Sequence, residues 1–208
     1  MNLGFYFDPS SPYCWITSRW LVATLKQREI YVQWRPFSLA MHLGENLEQL
    51  TDNEHTLDRR AGHRILRLIE AAGLAGHDRG EVYTSFGYEH FVAKRPYDDD
   101  LIQEVLKQHR LMDIIDAANS TALDADIFSS VREANELLGH KNVNVPICAF
   151  EVGNKHIGYF GPILNSVPTD QEAVRIWDGV VSLATTPEFN QLVRPVLAAP
   201  DTAQLGGR

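Results

Sequence analysis

Cysteine is scarce in this chain: of 208 residues, only Cys14 and Cys148 carry a thiol. Two cysteines this far apart make no disulfide framework. There is no C-x-x-C pair and no Cys/His spacing of the zinc-binding kind, so no metal is expected. No run approaches the roughly 20 apolar residues of a membrane span. The start, Met1-Asn2-Leu3-Gly4, lacks the basic and apolar regions of a signal peptide and enters a strand at once. Positive charge is in deficit, with 19 Lys and Arg against 27 Asp and Glu and a formal net charge of −8. That balance argues against nucleic acid or an anionic membrane as the main partner. Repeats and low-complexity runs are absent too. These absences together point to a protein of the reducing cytoplasm that meets small molecules; a homodimer is left open.

What is present is size and pattern. A chain of this length buries roughly 70% of its unfolded surface and needs no staples. It suffices for one large domain or a core with an insertion.

The stretch Phe5-Tyr-Phe-Asp-Pro-Ser-Ser-Pro-Tyr-Cys-Trp15 reads as a strand, a tight turn and a helix start. Pro12 suits the first helical turn, where a missing N–H is harmless. Ser11 is then the N-cap, and Tyr13 and Cys14 lie in the first turn. Unpaired N–H groups and the positive end of the helix dipole converge there, and such a point stabilises an anion, a thiolate included. Ser11-Pro12-Tyr13-Cys14 has the shape of a C-x-x-C motif whose first cysteine is serine. Two readings of Ser11 stand side by side: a cap worth about 1 kcal/mol, or a hydroxyl that faces a bound thiol. In both, Ser11 forms no disulfide with Cys14, and its protonated hydroxyl donates a hydrogen bond.

In chain order, Leu3 to Phe7 is a buried strand and Pro12 to Gln27 a helix, with Arg19, Lys26 and Arg28 expected toward solvent or the C-terminal end. Ile30 to Arg35 is a second strand that Pro36 ends. This β-α-β unit takes a right-handed parallel crossover by default. Residues 41–139 then turn helical, with apolar faces over Thr56 to Ala72, Arg79 to Phe91, Leu101 to Leu106 and Leu123 to Leu138. Asp98-Asp99-Asp100 reads as a cap and first-turn charge rather than a metal site, because three adjacent carboxylates at a helix start do not converge. Strands return at Val143 to Val152 and Lys155 to Phe160, joined at Gly153-Asn154. Thr169-Asp-Gln-Glu172 is a capping box opening a helix, and Thr185-Thr-Pro-Glu188 predicts a second, short one. The tail over 196–208 is expected to fray. The class is α/β: the thioredoxin-like order β-α-β … β-β-α, with residues 1–40 and 140–195 as the core domain and an all-helical insertion between.

The segment Phe7-Asp-Pro-Ser-Ser-Pro-Tyr-Cys-Trp-Ile-Thr-Ser-Arg-Trp20 resembles the active-site segment of actinobacterial DsbA-family proteins, the mycothiol-dependent nitroreductases. Val145-Pro146 is similar to that family's cis-proline loop. Tyr159 to Leu164 and Ile176-Trp177-Asp178 are similar to its C-terminal part. The departure lies at Ser11 and Tyr13, where the family has Cys and Trp. There the Ser-Pro-Tyr-x-Trp run looks instead like kappa-class glutathione transferases and 2-hydroxychromene-2-carboxylate isomerases, which use serine to hold a thiol cofactor.

The resemblance implies an enzyme that uses a low-molecular-weight thiol, mycothiol or glutathione, against a small electrophile, with no metal. Ser11 and Cys14 would be catalytic, while Asp8, Pro12, Tyr13, Trp15, Val145 and Pro146 would bind substrate. The alternatives are a transferase or isomerase without net redox change, and a non-catalytic thiol-binding module. Each residue keeps its plainer role beside this one: Cys14 and Cys148 as buried fillers, Trp15 and Tyr13 as core aromatics, and Asp8 as a turn former. The eight histidines are scattered. Of these His42, just after the second strand, could reach the mouth of the site.

Overall fold

The first strand is the spine of a four-stranded sheet of order β2-β1-β3-β4. The computed structural model describes residues 1–45, 54–139, 143–153, 155–196 and 198–203. Strand β1 (Asn2–Phe7) pairs in parallel with β2 (Tyr31–Pro36), Asn2 facing Tyr31 and Phe7 facing Pro36. On its other edge it pairs antiparallel with β3 (Ile147–Val152), Leu3 opposite Phe150 and Tyr6 opposite Ile147. Strand β4 (Lys155–Phe160) closes the hairpin on β3. Both faces of β1 are covered: Leu3, Phe5 and Phe7 on one side and Tyr6 on the other are all buried. A continuous apolar strand of this kind is what a central position demands.

Helix α1 (Pro12–Leu25) is buried nearly all round, from Cys14 through Leu21 and again at Ala23 and Thr24. One side faces the sheet. A second meets α7 (Asp170–Ala184), where Trp20 packs on Trp177 at 5.9 Å and its indole N–H donates to the Ala173 carbonyl at 2.9 Å. The third meets the insertion. That enclosure corrects the expectation that Arg19 reaches solvent. Its guanidinium is buried, donates to the Ser18 and Thr84 hydroxyls, and lies 4.3 Å over the Trp15 ring. Burial pulls its pKa down to about 10.

The insertion comprises α2 (Leu39–His42), α3 (Glu54–Leu74), α4 (Arg79–Gly87), α5 (Asp99–His109) and α6 (Asp124–Leu137). Asp98 caps α5 through the Leu101 N–H, as its acidic triplet implies. The helix expected from Arg79 to Phe91 changes character midway: after Gly87 it widens into a π-turn, Tyr88–Val92. Gly87 itself marks a close approach to α1, since a Cβ there would lie 2.5 Å from the Trp15 ring. Buried side chains of α3, α4, α5 and α6 join those of the strands in one continuous core.

Two further expectations change. β3 starts at Ile147 rather than Val143, because Pro146 has no N–H for a ladder and the Val145–Pro146 bond is cis. No helix forms over Thr185 to Glu188. The Thr185 and Thr186 hydroxyls donate back to the Val181 and Ser182 carbonyls, ending α7 instead of capping a new helix. The tail described up to Ala203 is pinned at Thr202, which is buried. Its carbonyl accepts from the Trp15 indole at 3.3 Å, and its hydroxyl bridges Lys94 and the Phe91 carbonyl. Among the described residues, no helix is long and apolar enough to cross a membrane.

Candidate active site at the start of the first helix

The turn between β1 and α1 is built by Asp8. One carboxylate oxygen accepts the Ser10 N–H and hydroxyl at 2.8 and 2.7 Å, and the other accepts the Leu39 N–H at 2.7 Å. The turn is thereby fixed to α2. Burial raises the Asp8 pKa, and the three hydrogen bonds oppose that rise. Behind the turn, α3 comes so close that a Cβ on Gly62 would sit 3.0 Å from Asp8 and Ser10. From the insertion, the Tyr97 hydroxyl donates to the Pro9 carbonyl at 3.1 Å, and the His90 ring stacks on Tyr97 at 4.1 Å.

Ser11 follows with extended backbone, φ −90° and ψ 116°, and is the N-cap of α1. Its hydroxyl oxygen accepts the Cys14 N–H at 3.3 Å, and Pro12 takes the first helical position. Ser11 is 7% exposed, while Ser10, Pro12 and Tyr13 around it are half-buried and form the rim of the corner. Cys14 is 0% exposed. Burial pushes its thiol up to about 12, against the opposing pull of the Ser11 hydroxyl. The resting protein therefore holds Cys14 as a thiol, not as an exposed thiolate.

Extending the antiparallel register one step past Tyr6–Ile147 sets Pro146 across from Phe7, at the end of β1 where the turn begins. The cis Val145–Pro146 bond thus stands at the end of β1 from which the turn to α1 departs. Both residues are buried, and the Val145 N–H is taken by the Asn144 side chain at 2.8 Å. Pro146 offers its carbonyl to Gly161, which precedes a second cis proline, Pro162. Thr17 of α1 donates to the Pro162 carbonyl at 2.9 Å, locking that loop to the helix.

The fold thus brings Ser11, Pro12, Tyr13, Cys14, Val145 and Pro146 to one corner. Two others are buried and engaged elsewhere. Trp15 is wholly buried among Phe91, Tyr83 and Arg19. Asp8 is 1% exposed and fully engaged, the turn former of the plainer reading. Cys148 is buried opposite Phe5, and both cysteines are free. His42 packs on Phe37 at 5.3 Å, at the end of the helix that Asp8 tethers; its Nδ1 is buried without a partner among the described residues. A separate cleft of about 470 Å³ opens between α1, β2, α4 and α5, lined by Arg19, Leu25, Trp34, Gly80 and His109. It holds none of the candidate catalytic or substrate-binding residues named from the sequence. Among the described residues, no group of three His, Cys, Asp or Glu side chains converges on a metal position.

A sheet with this strand order, a capped helix start and a cis-proline loop beside it define a thioredoxin-fold protein of DsbA type. Solved structures agree on the fold. The cytosolic disulfide reductase DsbM from Pseudomonas aeruginosa matches 88% of this chain and all of its own, at 14% identity and a TM-score of 0.61. The same protein with GSH matches at 16% identity over the same shares, with a TM-score of 0.57. The family is more specific. Residues 10–194 match the model described as Rv2466c-like, mycothiol-dependent nitroreductase Rv2466c, and the chain belongs to that family. A relative, the uncharacterized protein Rv2286c of Mycobacterium tuberculosis (strain ATCC 25618 / H37Rv), is 26% identical over 203 residues, covering 93% of this chain and 82% of its own length.

Proposed function

We propose that the protein is an oxidoreductase that uses a low-molecular-weight thiol, mycothiol in the first place, to reduce a small electrophile such as a quinone or a nitro compound. The observation that carries this reading is Ser11: a cap hydroxyl at the start of α1, three residues before a buried thiol, in a chain of the mycothiol-dependent nitroreductase family. The thiol's sulfur docks at the Ser11 hydroxyl, in the positive field of the helix start, which favours its ionised form. The Val145–Pro146 loop forms the second wall. Because the Val145 N–H is already engaged, its carbonyl is the group that meets an N–H of the cosubstrate.

The electrons balance with Cys14 as the second sulfur. One cosubstrate thiol and the Cys14 thiol together give two electrons and two protons to the acceptor, and a mixed disulfide forms between them. A quinone leaves as hydroquinone; a nitro group leaves as nitroso plus water. A second cosubstrate thiol attacks the mixed disulfide at the cosubstrate sulfur, releasing the cosubstrate disulfide and restoring Cys14. Since Cys14 is buried and protonated at rest, the docked sulfur acts first and Cys14 follows.

That burial also favours a second reading, conjugation or isomerisation by the docked thiol alone, with Cys14 a bystander. Calorimetry with mycothiol and with glutathione tests the common step. One of them binds with a stoichiometry of one, and Ser11→Ala weakens it. Binding of neither, or full affinity in Ser11→Ala, overturns the site. Mass spectrometry of the thiol after turnover then separates the readings, since only the redox route yields the cosubstrate disulfide.

A further inference from the structure

Beyond its first turn, helix α1 is buried at every position except Val22 and Leu25, which are half-buried. Both line the cleft of about 470 Å³ between α1, β2, α4 and α5. That volume falls within the range of small-molecule sites. Trp34 of β2 adds a third apolar wall, its ring held edge-on by Phe5 and Phe7 at 5.4 and 5.9 Å. Helix α4 closes on the same indole, since a Cβ on Gly80 would lie 2.2 Å from its Nε1.

The charged group of the cleft is Arg19, only 6% exposed. Its Nη2 donates to the Thr84 hydroxyl at 2.8 Å, and Thr84 lines the cleft too, so the guanidinium reaches the α4 wall. Its Nε donates to the Ser18 hydroxyl, and its face lies 4.3 Å over the Trp15 ring. A guanidinium has five N–H donors. Here both acceptors are neutral, and Nη1 has no hydrogen-bond partner among the described residues. Two carboxylates, Asp78 and Glu81, also line the cleft, but both are exposed and neither pairs with Arg19. Asp78 is taken by the Gly80 and Glu81 N–H groups at 2.7 and 3.1 Å. Burial lowers the Arg19 pKa only to about 10, so the group is a cation at neutral pH. A buried cation without a counter-charge is destabilising. Arg67 is the internal contrast: a buried arginine matched by both carboxylate oxygens of Asp124.

We propose that this cleft is a second binding site, for a small monocarboxylate with a flat apolar body. The carboxylate takes N–H groups of Arg19 that Ser18 and Thr84 leave free; a planar guanidinium matches a carboxylate in geometry as well as charge. The body lies on Val22, Leu25 and Trp34. Ser85 and His109, whose hydroxyl and Nε2 are 2.8 Å apart, also line the cleft and can bond a polar substituent. Asp78 and Glu81 restrict the ligand's charge: one negative charge is drawn to the buried Arg19, whereas a dianion such as phosphate is opposed. Binding here is reversible, and the site shares no residue with the thiol corner, so it does not depend on the function proposed above.

Calorimetry on the full chain with 1-naphthoate, 1-naphthamide and inorganic phosphate tests this. The acid binds with a stoichiometry of one, the neutral amide about tenfold more weakly, as expected for loss of charge-assisted hydrogen bonds, and phosphate not measurably. Arg19→Gln weakens the acid about tenfold and leaves the amide unchanged. Leu25→Trp, which fills the cleft from a half-buried position, weakens both, and Ser11→Ala changes neither. Thermal melting checks that each variant folds. Should Arg19→Gln fail to fold, the acid-to-amide ratio in the parent and the loss in Leu25→Trp decide the matter. No binding of the acid, equal binding of acid and amide, or phosphate binding as tightly as the acid overturns the proposal. So does an acid affinity that survives Leu25→Trp, or one lost in Ser11→Ala, which would put the ligand at the thiol corner. If mycothiol and glutathione both fail to bind while these results hold, the cosubstrate reading falls and the carboxylate site stands.

Discussion

Two buried polar clusters flank the same turn, and they differ in how completely they are satisfied. In the first, Arg67 of α3 grips both carboxylate oxygens of Asp124 at 2.7 and 2.6 Å, while His63 bridges Asp124 at 3.1 Å and the Ser38 hydroxyl at 3.0 Å. Ser38 in turn caps α2. In the second, around Arg19 of α1, the guanidinium rests on the Ser18 and Thr84 hydroxyls and the Trp15 face and has no carboxylate partner among the described residues. A closed network of donors and acceptors specifies one packing and has nothing left for a ligand. A cluster whose cation has no counter-charge has capacity in reserve. The contrast teaches where to look for chemistry: at the open cluster, even though the closed one has the Ser-His-Asp composition of a hydrolase.

The largest expected effect breaks the closed cluster. Asp124→Ala strands a largely buried guanidinium and a buried imidazole, and should destabilise the fold by about 3 kcal/mol. Chemical denaturation measures it, and thiol binding to the folded fraction should be unchanged. A loss near zero would show the cluster to be less saturated than its geometry implies.

Next, Gly87→Ala drives a methyl to 2.5 Å from the Trp15 ring and must displace it. Overpacking of this kind costs about 1–3 kcal/mol. It should quench or shift the Trp15 fluorescence, because Trp15 couples the insertion to α1.

Ser11→Ala comes third in stability, at about 1 kcal/mol for a lost cap, but first in function. A hydroxyl that only caps predicts that loss alone; a hydroxyl that holds a sulfur adds a drop of about tenfold in thiol affinity. Denaturation and calorimetry on the one variant separate the two roles.

The smallest effect is a slope. Burial and the Arg67 charge hold the His63 pKa below the usual histidine value, so folding favours its neutral form. The unfolded chain then binds the proton more readily. Stability is intact above the unfolded pKa near 6.5 and declines as pH falls below it. Asp124, held below the ordinary carboxylate range mainly by Arg67 against burial, adds a second decline at more acidic pH. His63→Gln should flatten the first decline and leave the second. A melting series across pH 4–8 shows whether it does.

Much of the corner was legible before any coordinates. Ser-Pro at a helix start, after an aromatic strand and before an apolar i, i+4 face, states a cap, a turn and a buried helix by local chemistry alone. The capping box at Thr169 and the acidic cap at Asp98 were legible for the same reason. The box at Thr185 was not, because the same hydroxyl can serve the helix it follows or one it would begin. The pinned tail was equally hidden: nothing local in Asp201-Thr202-Ala203 announces that Trp15 will meet it.

By itself, then, the sequence determined the elements, their order and the anion-friendly helix start, all of which depend on neighbours within a turn or two of chain. Only the tertiary structure decided that α1 is enclosed on nearly every side, and with it the burial of Cys14, Trp15 and Arg19. Those outcomes depend on which layers pack against a helix, and periodicity along one segment cannot count the layers around it.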